Sequence, residues 1–211
     1  IDPSDHMNIF HFADTIYSNS NFGEMNSWKK IGSPKIESLN AAAIAENNSN
    51  LIAVSHEDIL MLSTDKGKSW KSISAGLPNA IIENICFDPK NDSTIALCYG
   101  NFQNSENKVF ISKNLGKTWS NINFNLGNMQ IYDIIIDHSP DKNIYLAAEI
   151  GILVKPMNST KWELYNEGLP NITVRDLEIH FASNTLIAAT WGRGIWEVAL
   201  RNRESFPRIN S

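Results

Sequence analysis

Residues 63–70 read Ser-Thr-Asp-Lys-Gly-Lys-Ser-Trp, and residues 112–119 read Ser-Lys-Asn-Leu-Gly-Lys-Thr-Trp. In both stretches a Ser is followed by Asp or Asn at the second position after it, Gly at the fourth and Trp at the seventh. Asp and Asn accept main-chain hydrogen bonds within a turn, and Gly tolerates the left-handed backbone that tight turns need. The two stretches therefore predict one kind of turn, used twice. Its residues are Ser63, Asp65, Gly67 and Trp70 in one copy, and Ser112, Asn114, Gly116 and Trp119 in the other.

The tryptophans of these turns belong to a longer repeat. Trp28, Trp70, Trp119 and Trp162 follow one another at intervals of 42, 49 and 43 residues. The turn before Trp28 has extra residues, and the turn before Trp162 keeps only its Trp. Repeats of this length that consist of several short strands are typical of the blades of a β-propeller.

Each full repeat contains four predicted strands, named A to D in chain order. In the second repeat they are residues 39–45, 51–55, 59–63 and 69–74, with turn-forming residues between them. No segment has an apolar period of 3.6 residues over the length of a helix. The sequence therefore predicts an all-β chain, a β-propeller or a propeller fragment, made of consecutive four-stranded antiparallel blades. The next two repeats predict strands at 81–87, 94–99, 108–112 and 118–123, and at 131–136, 144–148, 151–155 and 161–165.

The two ends of the repeat region are incomplete. Residues 8–31 align with strands B, C and D, whereas residues 173–200 align with strands A, B and C. Five blades would then close into a ring only with two strands missing, so the simplest interpretation is a piece of a longer propeller. Unpaired strand edges favour association, so residues 28–31 are predicted to pair beside residues 194–200, within one chain or between two chains as a dimer. The predicted divisions are a vector-derived segment at 1–7, one domain at 8–200 with blades at 8–33, 34–77, 78–126, 127–168 and 169–200, and a tail at 201–211.

Composition narrows the function classes. Hydrophobic residues make up 42% of the chain and charged residues 19%, which is typical of a folded domain. The net charge of −5 argues against nucleic-acid binding, and no apolar run approaches the roughly 18 residues that span a bilayer. Cys86 and Cys98 fall on neighbouring predicted strands. They form either a cross-strand disulfide or, in the simpler interpretation, two free thiols. No spacing predicts a metal site or a cofactor.

The repeated turn resembles the Asp box of the BNR-repeat propeller superfamily, which includes sialidases, xyloglucan-cleaving glycoside hydrolases and sortilin-type receptors. Residues 166–180 and 188–197 are similar to the closing repeat of secreted bacterial BNR-repeat proteins that are described as glycosyl-hydrolase-like. The resemblance covers about residues 8–200. It implies a secreted or cell-surface bacterial protein, and Asp-box turns that face away from the ligand side.

The opposite side consists of the B–C and D–A turns, where the repeats differ from one another. Exposed aromatic rings beside amides and acids suit the recognition of a carbohydrate or a protein. Ordinary solvated loops are the simpler alternative. The candidate ligand-binding residues are Glu57, Asp58, Phe102, Gln103, Glu149, Trp191 and Arg193.

No catalytic residue can be assigned. Glycoside hydrolysis needs two carboxylates roughly 5–10 Å apart, and nothing in the spacing of Glu57, Asp58, Glu106 and Glu149 selects a pair. The sequence therefore favours a non-catalytic recognition or scaffold module. The alternative is a fragment of an Asp-box glycoside hydrolase, similar to a xyloglucanase or a sialidase.

Overall fold

The chain forms five consecutive antiparallel sheets in a computed structural model, which describes residues 1–3, 5–13, 15–36, 38–100 and 107–201. Within every sheet the strands neighbour one another in chain order. The first sheet contains β1 (Ile9–Phe12), β2 (Ile16–Asn19) and β3 (Lys29–Gly32). The second contains β4 (Ala41–Ile44), β5 (Ile52–His56), β6 (Ile59–Ser63) and β7 (Lys71–Ser72).

The third and fourth sheets repeat the four-stranded plan, and the fifth has three strands among the described residues. The predicted all-β propeller-type fold is thus confirmed. The third sheet contains β8 (Ile82–Asp88), β9 (Asn91–Tyr99), β10 (Val109–Ser112) and β11 (Ser120–Asn121). The fourth contains β12 (Ile131–Ile136), β13 (Asn143–Ala148), β14 (Gly151–Pro156) and β15 (Glu163–Leu164), and the fifth contains β16 (Val174–His180), β17 (Thr185–Thr190) and β18 (Ile195–Ala199).

Apolar side chains fill the space between each sheet and the next. One core cluster lies at each of the four junctions between successive sheets. Every residue of β13 is buried, because both faces of the fourth sheet are covered. In β16 buried Val174, Leu177 and Ile179 are interrupted by exposed residues, because only one face of the fifth sheet packs against a neighbour. The core is therefore a stack of sheet-to-sheet interfaces.

The first strands of the sheets converge. The His138 Nε2 atom lies 2.8 Å from the carboxylate of Glu46, and the His138 ring stacks on Phe181 with centroids 3.7 Å apart. These three residues follow the first strands of the fourth, second and fifth sheets. A cavity of about 270 Å³ lies beside them, with walls from β4, β8 and β12. The sheets are thus arranged around a common axis, as in a propeller.

The Asp-box turn between β6 and β7 is closed by side-chain hydrogen bonds. The Ser63 hydroxyl accepts from the main-chain N–H of Gly67 at 2.8 Å and donates to the Asp65 carboxylate at 2.8 Å. That carboxylate also accepts from the main-chain N–H and the hydroxyl of Ser69, at 2.8 and 2.6 Å. Gly67 has a φ of +85°, a left-handed conformation that disfavours other residues.

The turn between β10 and β11 repeats this arrangement. Gly116 N–H donates to the Ser112 hydroxyl at 2.8 Å, and Thr118 N–H donates to Asn114 Oδ1 at 2.9 Å. Gly116 has a φ of +75°. Asn114 therefore replaces the carboxylate of the first turn as an acceptor, but it adds no negative charge.

The repeated tryptophans join successive sheets. Trp119 Nε1 donates to the carbonyl of Ile73 in the second sheet at 2.9 Å, and Trp162 Nε1 donates to the carbonyl of Ile122 in the third sheet at 2.9 Å. Trp70 instead donates to Gly67 within its own turn, at 3.0 Å. Trp162 is 2% exposed although the rest of its turn has diverged. The joint between sheets thus depends on the indole and does not require a complete Asp box.

A second set of joints lies near the start of the first strands. Asn84, Asp133 and Asp176 occupy equivalent places after a β-bulge in β8, β12 and β16. The Asn84 amide donates to the carboxylate of Asp133, which also accepts from the main-chain N–H of Leu177 at 2.7 Å. Burial raises the pKa of Asp133 to about 7. One buried carboxyl group therefore connects the third, fourth and fifth sheets.

Both cysteines are free thiols. In the segment predicted to be vector-derived, the buried Asp2 carboxylate lies 3.4 Å from Lys66 Nζ in the turn between β6 and β7. Strand β3 pairs with β2 in the first sheet, and among the described residues it does not pair with β18 of the fifth sheet. The predicted pairing of residues 28–31 beside residues 194–200 within one chain is therefore wrong, and pairing between two chains stays a prediction. In the described part of the chain no helix has the length and apolar character needed to cross a membrane.

Replacing Ser63 with Ala is expected to lower the free energy of unfolding by about 1–3 kcal/mol, because the buried N–H of Gly67 loses its acceptor. Urea denaturation measures the loss. Thr64→Ala is the matched control, since Thr64 is exposed in the same turn. Equal effects of the two substitutions would contradict this account of the turn.

Hydrogen bonds from Ser69 lower the pKa of Asp65 from 3.8 to about 2. The folded state thus favours the ionised carboxylate, and its stabilising effect is complete above pH 3.8 and is lost as the pH falls to about 2. Asp65→Asn is expected to be less stable than the wild type at pH 7, with the difference shrinking through that window. Unfolding curves at a series of pH values measure it, and a difference independent of pH would contradict the assignment.

Candidate functional site

The B–C and D–A turns together form one end of the sheets, here called the variable face. Hydrogen bonds to main-chain carbonyls link the second sheet to the third and the fourth sheet to the fifth on this face. Ile82 N–H donates to the Glu57 carbonyl at 3.0 Å, so the start of the third sheet is bound to a turn of the second. The Thr173 hydroxyl likewise donates to the Glu149 carbonyl at 3.1 Å, and Trp191 N–H donates to the Thr173 carbonyl at 2.9 Å. Side chains from different sheets are thereby held side by side.

The β-bulges place one unpaired residue on this face in each of the third, fourth and fifth sheets. Strand pairing skips Glu83, Tyr132 and Arg175, the residues that precede Asn84, Asp133 and Asp176. A bulge leaves its extra residue outside the ladder and changes the direction of that side chain. These three side chains therefore belong together in space, although 92 residues separate the first from the last.

Arg175 is the centre of this group. Its guanidinium carbon lies 4.0 Å from the centroid of the Tyr132 ring and 5.6 Å from the Trp191 ring. Tyr132 in turn donates its hydroxyl to Gln130 at 2.9 Å, which fixes the ring. We call Glu83, Tyr132, Arg175 and Trp191 the arginine cluster.

The arginine cluster combines both charges with exposed aromatic surface. Burial raises the pKa of Glu83, and the positive charge of Arg175 opposes that shift. Trp191 is 72% exposed. Among the residues that the structure describes, no hydrogen bond or ion pair engages the guanidinium of Arg175. Its donors are therefore available to an acceptor such as a carboxylate.

The ligand-binding residues predicted from the sequence do not all lie in the arginine cluster. Trp191 belongs to the arginine cluster. Arg193 lies two residues away, where its carbonyl accepts from Trp196 Nε1 at 3.1 Å and its side chain is exposed. Glu57 and Glu149 occupy turns of the variable face, and the charge of Glu149 acts on Lys108.

Asp58 follows Glu57 in the same turn. Burial raises the pKa of Tyr99, and the negative charge of Asp58 raises it further. Phe102 and Gln103 lie outside the described residues. In the described ranges, no group of three His, Cys, Asp or Glu side chains could hold a metal ion.

Sequence reasoning missed Glu83, Tyr132 and Arg175 because each falls inside a predicted strand. A strand with regular alternation gives no reason to single them out. The available signal was the equivalence of Asn84, Asp133 and Asp176, since the residue before each must also be equivalent. This position has a carboxylate in one repeat, a phenol in the next and a guanidinium in the third. Its side-chain chemistry therefore changes from repeat to repeat.

A family model for Sortilin-Vps10, described as "Sortilin, neurotensin receptor 3", matches residues 14–155. The chain belongs to the Sortilin-Vps10 family. This family member matches no curated protein in sequence.

Solved structures share the fold of this Sortilin-Vps10 chain. The GH74 xyloglucanase from Xanthomonas campestris is 12% identical with a TM-score of 0.71, over 94% of this chain and 36% of that one. The Niastella koreensis GH74 enzyme is 15% identical with a TM-score of 0.69, over 95% and 35%. YCF48 bound to D1 peptide is 16% identical with a TM-score of 0.61, over 92% and 61%. The chain thus spans about a third of the length of these two GH74 structures, and identities this low show the fold alone.

The contact between Arg175 and Tyr132 is expected to stabilise the protein by only about 0.5–1 kcal/mol, because it lies at the surface. A double-mutant cycle with Arg175→Met and Tyr132→Leu measures this coupling by urea denaturation. The same cycle with Arg193→Met should give no coupling to Tyr132. A coupling that is zero for both arginines would contradict the geometry of the arginine cluster.

Proposed function

We propose that this chain is a non-catalytic recognition module that binds a protein segment through the arginine cluster on the variable face. The observation that carries the proposal is the Arg175 guanidinium, which is held against Tyr132 while no residue in the described ranges accepts a hydrogen bond from it. An arginine pre-organised on a ring loses little freedom on binding, and its planar donors match a carboxylate. The exposed ring of Trp191 adds apolar surface for the neighbouring part of the ligand.

The comparisons favour a protein ligand. The family carries a receptor description, and one solved structure of this fold is described as bound to a peptide. We also propose that the chain acts outside the cytoplasm, as a secreted or surface-exposed bacterial module. Support for that location comes from the Asp-box turns and the closing repeat at residues 188–197, which resemble those of exported proteins.

The test uses a peptide library displayed with free C-terminal carboxylates, and the same library with amidated ends. Biolayer interferometry of the immobilised chain should find binding that depends on a carboxylate, at the terminus or on an acidic side chain. Arg175→Met should weaken binding at least tenfold, whereas Arg193→Met should change it less than twofold. Binding that is equally sensitive to both arginines would remove the arginine cluster as the site.

A carbohydrate ligand is the second candidate, because solved structures of this fold include GH74 enzymes. A glycan array tests it: binding to neutral glycans that survives Arg175→Met would favour sugar recognition over peptide recognition. A glycoside hydrolase fragment would show turnover of xyloglucan or aryl-sialosides above a buffer blank. We expect no turnover, and turnover abolished by Glu57→Gln or Glu149→Gln would overturn the non-catalytic assignment.

A further inference from the structure

A cleft of about 230 Å³ lies between the third and fourth sheets, at the Asp-box end and thus opposite the variable face. Its wall includes Lys113, Asn114 and Thr118 from the turn between β10 and β11, with Ser120 from β11 and Lys155 from β14. Within the described residues, no carboxylate contributes to this wall. Two cationic residues and three neutral polar residues therefore line one small space.

Lys155 is a buried cation that forms no ion pair with any residue that the structure describes. It is 1% exposed, and its Nζ donates to the carbonyls of Pro156 and Met157, both at 3.2 Å. The rings of Trp162 and Phe124 lie 5.5 and 5.6 Å from the same atom. Carbonyls and rings reduce the cost of a buried ammonium but do not neutralise it. Burial lowers the pKa of Lys155 to about 8, and the like charge of Lys113 lowers it further.

Two departures from the Asp-box pattern meet in this cleft. Lys155 occupies the position of Ser63 and Ser112 in the two well-preserved turns. Asn114 occupies the position that Asp65 has in the turn of residues 63–70. The first change adds a positive charge, and the second removes a negative one. Each change alone would be ordinary divergence of a repeat. Together they make one cleft selectively positive in a chain with a net charge of −5.

The neutral side chains supply hydrogen-bond donors. The Asn114 amide donates to the Thr118 hydroxyl at 2.8 Å, which leaves the hydroxyl proton of Thr118 free to donate into the cleft. An ammonium has three protons, and Lys155 uses two of them on carbonyls. Lys113 also lines a neighbouring cleft with acidic residues, where Asp88 is already paired with Lys142 at 2.6 Å. Lys113 therefore lines two clefts, and Lys155 is the buried cation of this one.

We propose that this cleft binds a tetrahedral oxyanion, phosphate or sulfate, between Lys113 and Lys155, with Thr118 and Ser120 as hydroxyl donors. The cleft is large enough for one such group, either free or carried on a sugar. The bound anion compensates the charge of Lys155, which no carboxylate of the described chain pairs with. This site is separate from the arginine cluster and independent of its function.

The test is a thermal-shift and calorimetric titration with sodium sulfate and sodium phosphate, with chloride keeping the ionic strength constant. We expect a saturable rise in melting temperature. Asn114→Asp should weaken the response at least tenfold while the protein remains folded, because Asp is the residue of the better-preserved box. Lys155→Met should abolish the response, and Lys117→Met is the charge-matched control, since Lys117 is exposed on the same turn outside the cleft wall.

The protonation of Lys155 gives a second readout. A bound anion favours the charged ammonium, so the pKa of Lys155 measured by NMR should rise in sulfate relative to chloride. A sulfated disaccharide and its desulfated counterpart distinguish a free anion from an anion carried on a sugar. Tenfold tighter binding of the sulfated disaccharide than of free sulfate indicates an anion carried on a sugar. Equal binding of the two indicates a free ion. No saturable shift with any of these anions, or a shift equally reduced by Lys117→Met and Asn114→Asp, would overturn the site.

Discussion

Each sheet of this chain can bury its apolar side chains only against the next sheet. A single sheet of three or four short strands has two faces and too little surface to form a core by itself. The four core clusters, one at each junction, are the direct result. Burial on both faces explains why β13 is buried throughout, and burial on one face explains the alternation in β16. The turns, bulges and indole joints all serve to hold neighbouring sheets at packing distance.

The sequence predicted the sheets well because its strongest signals are local. Asp65 and Gly67 mark a turn by their own chemistry, and the spacing from Trp70 to Trp119 measures one repeat. The short turns also predicted the strand order, because a short turn forces each strand to pair with the strand that follows it in the chain. The residues predicted for strand C of the last repeat correspond to β18 to within a residue or two. Local chemistry was therefore enough for the fold class.

The arginine cluster could not be predicted in the same way. A β-bulge inserts one residue into a strand, and nothing in the run around Tyr132 or Arg175 marks where pairing will shift. The contact between Arg175 and Trp191 also depends on where a turn of the same sheet folds back. The prediction favoured residues in exposed turns. Of two such residues, Trp191 contacts Arg175, whereas the side chain of Arg193, two positions further on, is exposed. Long-range geometry, rather than residue type, separates these two.

The direction of the indole joints has a consequence for biosynthesis. Trp119 and Trp162 both donate to the sheet that precedes them in the chain, at Ile73 and Ile122. When such a tryptophan leaves the ribosome, its acceptor has already been synthesised. Every joint of this kind can therefore close as the chain emerges, without waiting for a later segment. Assembly can proceed one sheet at a time from the N-terminal side, so each new sheet can pack its apolar face against the sheet synthesised before it.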